Sequence, residues 1–141
     1  MSVFTPEEIH YLQNQRLARI ATVGPDGQPH VVPVGFRYNP GTDTIDVGGH
    51  NFAQRKKWRD VRQNPRVAVV IDDIVSVTPW TVRGIEIRGD AERLMTGGES
   101  VITGFDSAMF RITPKRIVSW GINTDARTAT GRSVNAPASS P

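Results

Sequence analysis

The apolar positions of this chain change period several times along its 141 residues. Thr5-Pro6-Glu7-Glu8 reads as a helix start: Thr5 caps, Pro6 suits the first helical position and Glu8 completes a capping box. Ile9 and Leu12 give this helix an apolar stripe, and it is expected to end near Gln15. Leu17 to Val23 then alternates as a strand, and Gly24-Pro25-Asp26-Gly27 is a strong turn signal. His30 to Tyr38 reads as a second strand that Pro33 interrupts, which implies an edge, a bulge or a place where a ligand replaces ladder bonds. After a turn at Asn39 to Asp43, Thr44 to Gly48 forms a third strand.

A second helix is expected from about Ala53 to Gln63, stopped by Pro65. Arg66 to Asp72 is β-branched like a buried strand. The segment from Arg83 to Leu94 contains the strict alternation of a half-exposed strand. Thr96 to Phe110 is ambiguous and has room for a short helix, and Arg111 to Trp120 reads as the last strand. Residues 123–141, rich in Ala, Ser, Thr and Pro, are expected to be a disordered tail behind one domain spanning 1–122. Spacings of roughly 8–12 residues between turns favour a small antiparallel barrel, mainly β, over a βαβ sheet.

Charge changes this picture at one place. The segment from Asn51 to Arg66 holds six basic residues and one acid, whereas the whole chain carries only +3, so the remainder nets −2. A local patch of this kind suits a small anionic ligand at least as well as a polyanion, and the balance elsewhere argues against nucleic acid. The acidic start MSVFTPEE and the lack of any apolar run near the roughly 20 residues of a membrane span lead us to expect a cytoplasmic protein with no membrane partner.

Several chemistries lack their residues. There is no cysteine, which excludes disulfides, zinc–thiolate sites and iron–sulfur clusters. No GxSxG, Walker A or GxGxxG pattern occurs. His10, His30 and His50 are scattered without metal-ligand spacing, so no metal site is expected. Asp72 and Asp73 are neighbours that would face opposite ways on a strand, and they read most simply as a turn at a strand end.

The basic segment itself supports two readings. In one, Asn51 caps the second helix, Gln54 completes the box, and Gly48-Gly49 permit close backbone approach or a positive φ. Strand, glycine turn and helix N-terminus then form an anion site. Arg55 and Lys56 sit where a helix dipole repels cations, so an anion would neutralise both. In the other, Trp58 and Val61 face the core while Arg55, Arg59 and Arg62 form a solvated face of an ordinary amphipathic helix.

The stretches LARIATVGPDGQPHVVPVGF, NPRVAVVID, RGIEIRGDAERL and RITPKRIVSWGI, with the basic helix between the first two, resemble the pyridoxamine-phosphate-oxidase-like split β-barrel superfamily. The similarity is closer to the branch that binds the deazaflavin cofactor F420, and it runs from about Thr5 to Ile122. It implies a six- to seven-stranded antiparallel split barrel with two or three short helices, paired as a homodimer with cofactor at the interface. It further implies that Arg55, Lys56 and Lys57 hold the cofactor phosphate. Val31, Val32, Pro33 and Val34, with Val47, Gly48, Gly49 and His50, would line the ring. Asn51 stands where relatives often have a hydroxyl residue. Trp80 and Trp120 would reach across from the partner subunit.

The chain departs from the vitamin B6 oxidases in passing from Trp120-Gly121-Ile122 into a polar tail, so B6 oxidation is not expected. Arg59, Arg62, Arg83 and Arg88 are further cations that the acidic tail of F420 could use, which favours F420 over FMN. The expected chemistry is hydride transfer to an electron-poor small organic molecule. His50 is the sole titratable candidate near the ring. An FMN oxidoreductase of the same fold, or a carrier of a flavin- or haem-type ligand without turnover, are the alternatives.

Overall fold

The computed structural model describes residues 1–134. The first helix, α1 (Pro6–Gln13), has the expected capping box: the Glu8 N–H donates to Thr5 Oγ1, and the Thr5 N–H donates to the Glu8 carboxylate. Seven strands follow: β1 (Leu17–Val23), β2 (Pro29–Asn39), β3 (Thr44–Gly48), β4 (Arg66–Ser76), β5 (Thr81–Leu94), β6 (Met109–Trp120) and β7 (Ala129–Ser133). The second helix, α2, spans Lys56–Gln63 between β3 and β4.

All strand pairs are antiparallel in the order β3-β2-β1-β4-β5-β6-β7, and a β3–β6 pairing closes the first six into a barrel. Its interior is filled by alternate residues, among them Ile20, Ile45, Ile71, Ile85, Ile87, Ile112 and Ile117, all fully buried. No helix among the described residues is long and apolar enough to cross a membrane.

One edge of β6 is shared. Met109 to Ile112 pair with β3, whereas Arg116 to Trp120 pair with β7. This last strand lies inside the stretch expected to be a tail; residues 135–141 of that stretch fall outside the described part. The reversal that makes β7 possible uses Gly121 at φ +69°, where an added Cβ would sit 2.7 Å from the Val82 carbonyl oxygen. Asp125 then closes the turn by accepting from the Arg127 N–H and the Thr128 hydroxyl.

A buried ion pair fastens β7. Arg132 forks onto Glu8, whose side chain is fully buried, and donates as well to the Val3 carbonyl at 2.8 Å. Burial pushes the Glu8 carboxyl up, but Arg132 and the Thr5 N–H more than offset this and hold it below its ordinary value of 4.5.

Two local expectations change. Asp72 and Asp73 do not end a strand, because β4 continues to Ser76 through the β-branched Ile74 and Val75. They do face opposite ways: Asp72 meets Arg19, while Asp73 accepts from Arg83 and the Tyr11 hydroxyl. The ambiguous stretch before β6 holds only a single 3-10 turn at Gly98–Ser100.

Replacing Arg132 with alanine leaves a buried carboxylate short of its charge partner. Urea unfolding at neutral pH should show a loss of about 3 kcal/mol. The stability that Glu8 contributes is present above pH 4.5 and is lost as pH falls through its depressed folded value. Without Arg132 burial dominates and the Glu8 carboxyl rises, so its ionisation no longer stabilises the fold, and the gap between the unchanged chain and R132A should narrow as pH falls below 4.5.

Candidate functional site

The register of β2 and β3 creates an opening. β3 covers β2 only from Gly35 to Asn39, so residues 29–34 of β2 have β1 on one side and a free edge on the other. Pro33 lies on this half-paired segment, where a missing N–H is tolerated. The free edge, the end of β3 and the start of α2 border a groove of about 480 Å³. His30 and Val32 to Gly35 line one side; Gly48, Gly49 and His50, then Arg55, Lys56 and Lys57, and finally Phe105 complete it.

The chain reaches α2 by an unexpected path. Asn51 is not its cap: it takes a left-handed conformation (φ +52°, ψ +38°) and opens a 3-10 turn at Phe52–Gln54. The helix begins at Lys56 behind Arg55, with no side-chain cap. Burial of Phe52 is the cause. Its ring has no exposure and packs edge-on against Trp58 and Phe110, with centroids 5.8 and 4.8 Å away. Its N–H donates to Asp106 Oδ2, not to Asn51.

The cations therefore stand in the first turn of the helix, where the dipole opposes them. The chain itself answers this for Lys56, whose ammonium lies 2.9 Å from Asp60 Oδ1. The buried Asp60 also accepts from the Thr22 hydroxyl at 2.8 Å. Burial pushes the Asp60 carboxyl up; Lys56 and Thr22 outweigh it and hold the group below its ordinary 3.8.

Lys57 is different. Its residue is 8% exposed, its ammonium lies 4.9 Å from the centre of the Phe52 ring, and among the described residues it meets no carboxylate. No fully buried side-chain nitrogen or oxygen lacks a hydrogen-bond partner there, so this unpartnered ammonium reaches the groove surface. Burial, and then the neighbouring Arg55, push its pKa down. Arg55 is exposed and donates from Nε to the His50 carbonyl. A half-desolvated cation without a counter-charge, an arginine beside it and an open strand edge form a donor set that fits an anionic group attached to a flat body.

The groove thus gathers Val32, Pro33, Val34, Gly48, Gly49, His50, Arg55, Lys56 and Lys57. Val31 is 65% exposed and does not line it, and neither does Asn51. Trp80 is exposed on the turn between β4 and β5, and Trp120 lies beside Gly84 on β5; neither lines the groove. Of the four further arginines, Arg83 is paired with Asp73 and Arg88 with Glu86. Only Arg59 and Arg62 of that set lack a carboxylate partner among the described residues. No cluster of potential metal ligands occurs among those residues. His30 and Phe105 were not anticipated. The position of His30, two residues before Val32 on the same strand, is a usable signal; that of Phe105 is not, because the groove neighbours of its ring, Gly35, Gly48 and His50, are distant in sequence.

A model of the pyridoxamine 5'-phosphate oxidase family matches residues 4–121. The chain belongs to that family. It is 43% identical over 125 residues to the 5a,11a-dehydrotetracycline/5a,11a-dehydrooxytetracycline reductase of Streptomyces rimosus, covering 89% of this chain and 88% of that protein. This kinship supports reductase chemistry in the family member described here. Among solved structures, a heme binding protein from Mycobacterium smegmatis superposes with a TM-score of 0.70 at 12% identity, over 94% of this chain and 60% of that one. A FAD-binding protein from Mesorhizobium loti gives 0.62 at 22% identity, over 82% and 91%. At such identities these two share the fold alone.

Asp60→Asn should release Lys56 and cost about 2 kcal/mol at neutral pH by urea unfolding. The carboxylate's contribution exists above pH 3.8 and fades as pH falls through its depressed folded value. The gap between the unchanged chain and D60N should therefore close under those acidic conditions.

Proposed function

We propose that this member of the pyridoxamine 5'-phosphate oxidase family is an F420-dependent reductase acting on an electron-poor C=C or C=N bond of a small organic molecule. The observation that carries the reading is Lys57: a largely buried side chain whose ammonium meets no carboxylate among the described residues and opens onto a groove beside Arg55. Arg55 and Lys57 would hold the cofactor phosphate, with Lys56 as a third cation kept in place by Asp60. The free edge of β2 from Val32 to Val34 would present backbone polar groups to the ring. When bound, the reduced deazaflavin supplies the hydride. The protein's part is to bind, orient and exclude water. His50, exposed at the groove and carried on the β3 exit, is the candidate to pass a proton.

F420 is favoured over FMN because Arg59 and Arg62 follow Arg55 along α2 without carboxylate partners among the described residues, a track suited to an acidic tail. The chain would work as a homodimer. Val31, Val77 and Trp80 are 65%, 70% and 64% exposed, more apolar surface than an isolated protomer gains from showing. The dehydrotetracycline-type substrate named for the Streptomyces relative makes related unsaturated polycycles the first to test.

Equilibrium titration followed by fluorescence decides the cofactor. Micromolar or tighter F420 with weaker FMN supports the proposal; binding of neither removes it. Lys57→Met should weaken F420 binding about ten- to a hundredfold. The same change should stabilise the cofactor-free fold by about 1 kcal/mol, since it removes a desolvated charge that lacks a partner. If K57M binds F420 as tightly as the unchanged chain, the phosphate assignment is wrong.

A further inference from the structure

Phe105 sits in the loop between β5 and β6, yet it forms one wall of the groove. Its ring lies over two cross-strand neighbours, Gly35 of β2 and Gly48 of β3. A Cβ on Gly35 would stand 2.7 Å from Phe105 Cζ and 2.8 Å from Cε2; one on Gly48 would stand 3.1 Å from Cδ2. Gly48 does not have a positive φ, so what its missing side chain admits is this ring. The two glycines leave no depth beneath it, and Phe105 cannot recede.

The ring is also fixed from its own backbone. The Phe105 N–H donates to the Ile102 carbonyl at 3.1 Å, and the Asp106 N–H to the Gly49 carbonyl at 3.1 Å. The Asp106 carboxylate accepts from the Phe52 N–H, which ties the loop to the same residue that positions Lys57. Gly98 closes the loop behind: its N–H donates to the Ser107 carbonyl at 2.8 Å, and an added Cβ would collide with the Asp106 carbonyl oxygen. On the other flank, the His50 ring meets Phe105 edge to face at 5.4 Å. The groove therefore has two chemically distinct parts, one of cations at the start of α2 and one of aromatic surface at Phe105 and His50.

We infer that Phe105 is a specificity-determining residue that packs against the planar ring of the groove's ligand, independently of the cations that hold its phosphate. This rests on the proposed function for the identity of the ligand. A flat heteroaromatic body between the β2 edge and an immovable aromatic wall gains stacking or edge contact that an aliphatic wall does not give.

Two probes separate the parts: F420, and the same deazaflavin with its ribityl chain but no phosphate. Phe105→Leu keeps apolar bulk over the glycines and removes the aromatic face. It should weaken both probes by the same factor, about tenfold. Phe105→Tyr should restore both, and Lys57→Met should weaken F420 alone. Gly35→Ala, which displaces the ring without removing it, should reproduce the loss. A leucine variant that binds both probes like the unchanged chain overturns the inference. So does one that weakens F420 but not the phosphate-free probe, because Phe105 would then act through the cations. If the unchanged chain binds neither probe, it is the proposed function that falls, and the inference falls with it.

Discussion

The burial of Phe52 is the constraint on which the groove depends. With its ring sealed between Trp58 and Phe110, the chain leaving β3 has to turn inward before it can start a helix. That turn puts Asn51 in the left-handed region and delays α2 until Lys56. It also supplies the ring over which the Lys57 ammonium rests. The Phe52 N–H, left without a local acceptor by this path, reaches Asp106 and draws in the distant loop that carries Phe105. One buried aromatic residue thus connects both chemical parts of the groove.

The three consecutive cations show how an unfavourable field is divided. All stand near a helix N-terminus, where each is opposed by the dipole. Lys56 reaches forward one turn to Asp60, and the cost is offset within the fold. Lys57, one residue on, points along a different line of the helix and finds an aromatic face instead of a carboxylate. A cation–π contact offers less than an ion pair, so the site keeps a residual demand for negative charge. A fold indifferent to ligands would gain stability by an apolar residue there, which makes Lys57 more informative than its neighbours.

What the chain discloses before folding divides along the same physical line. The strands, the barrel closure they permit, α1 and its cap, and the core-facing Trp58 and Val61 all follow from local period and local capping. So does the segment that forms the cationic end, because charge density is a local property. The partners of Arg83, Asp72 and Asp73 lie across strands, in a register that no local pattern states, whereas Arg88 meets Glu86 two residues away on its own strand. Asn51 looks like a cap by residue type, but the demand of the Phe52 ring overrides it. Phe105 is recognisable only once Gly35 and Gly48 are known to be adjacent. β7 was missed because Ala129-Thr-Gly-Arg-Ser133 has no apolar alternation; its edge pairing and its Arg132 clasp need no core face.

The shortness of β3 ties β7 to the groove. With five residues, β3 covers only part of each long neighbour, and it leaves two unpaired edges at opposite ends: β6 beyond Ile112 and β2 before Gly35. Exposed edges invite pairing with other chains, and folds usually cover them. The β6 edge is covered by β7, and the clasp from Arg132 to the buried Glu8 keeps that cover in place. Among the described residues the β2 edge has no such strand, and Pro29 and Pro33 blunt it without filling it. Of two equivalent vacancies in the barrel wall, one is sealed by the chain's own C-terminal segment, and the other is left open beside an unmatched cation. An edge that is blunted against strands but still bordered by donors, acceptors and a cation is suited to a ligand too small to act as a strand.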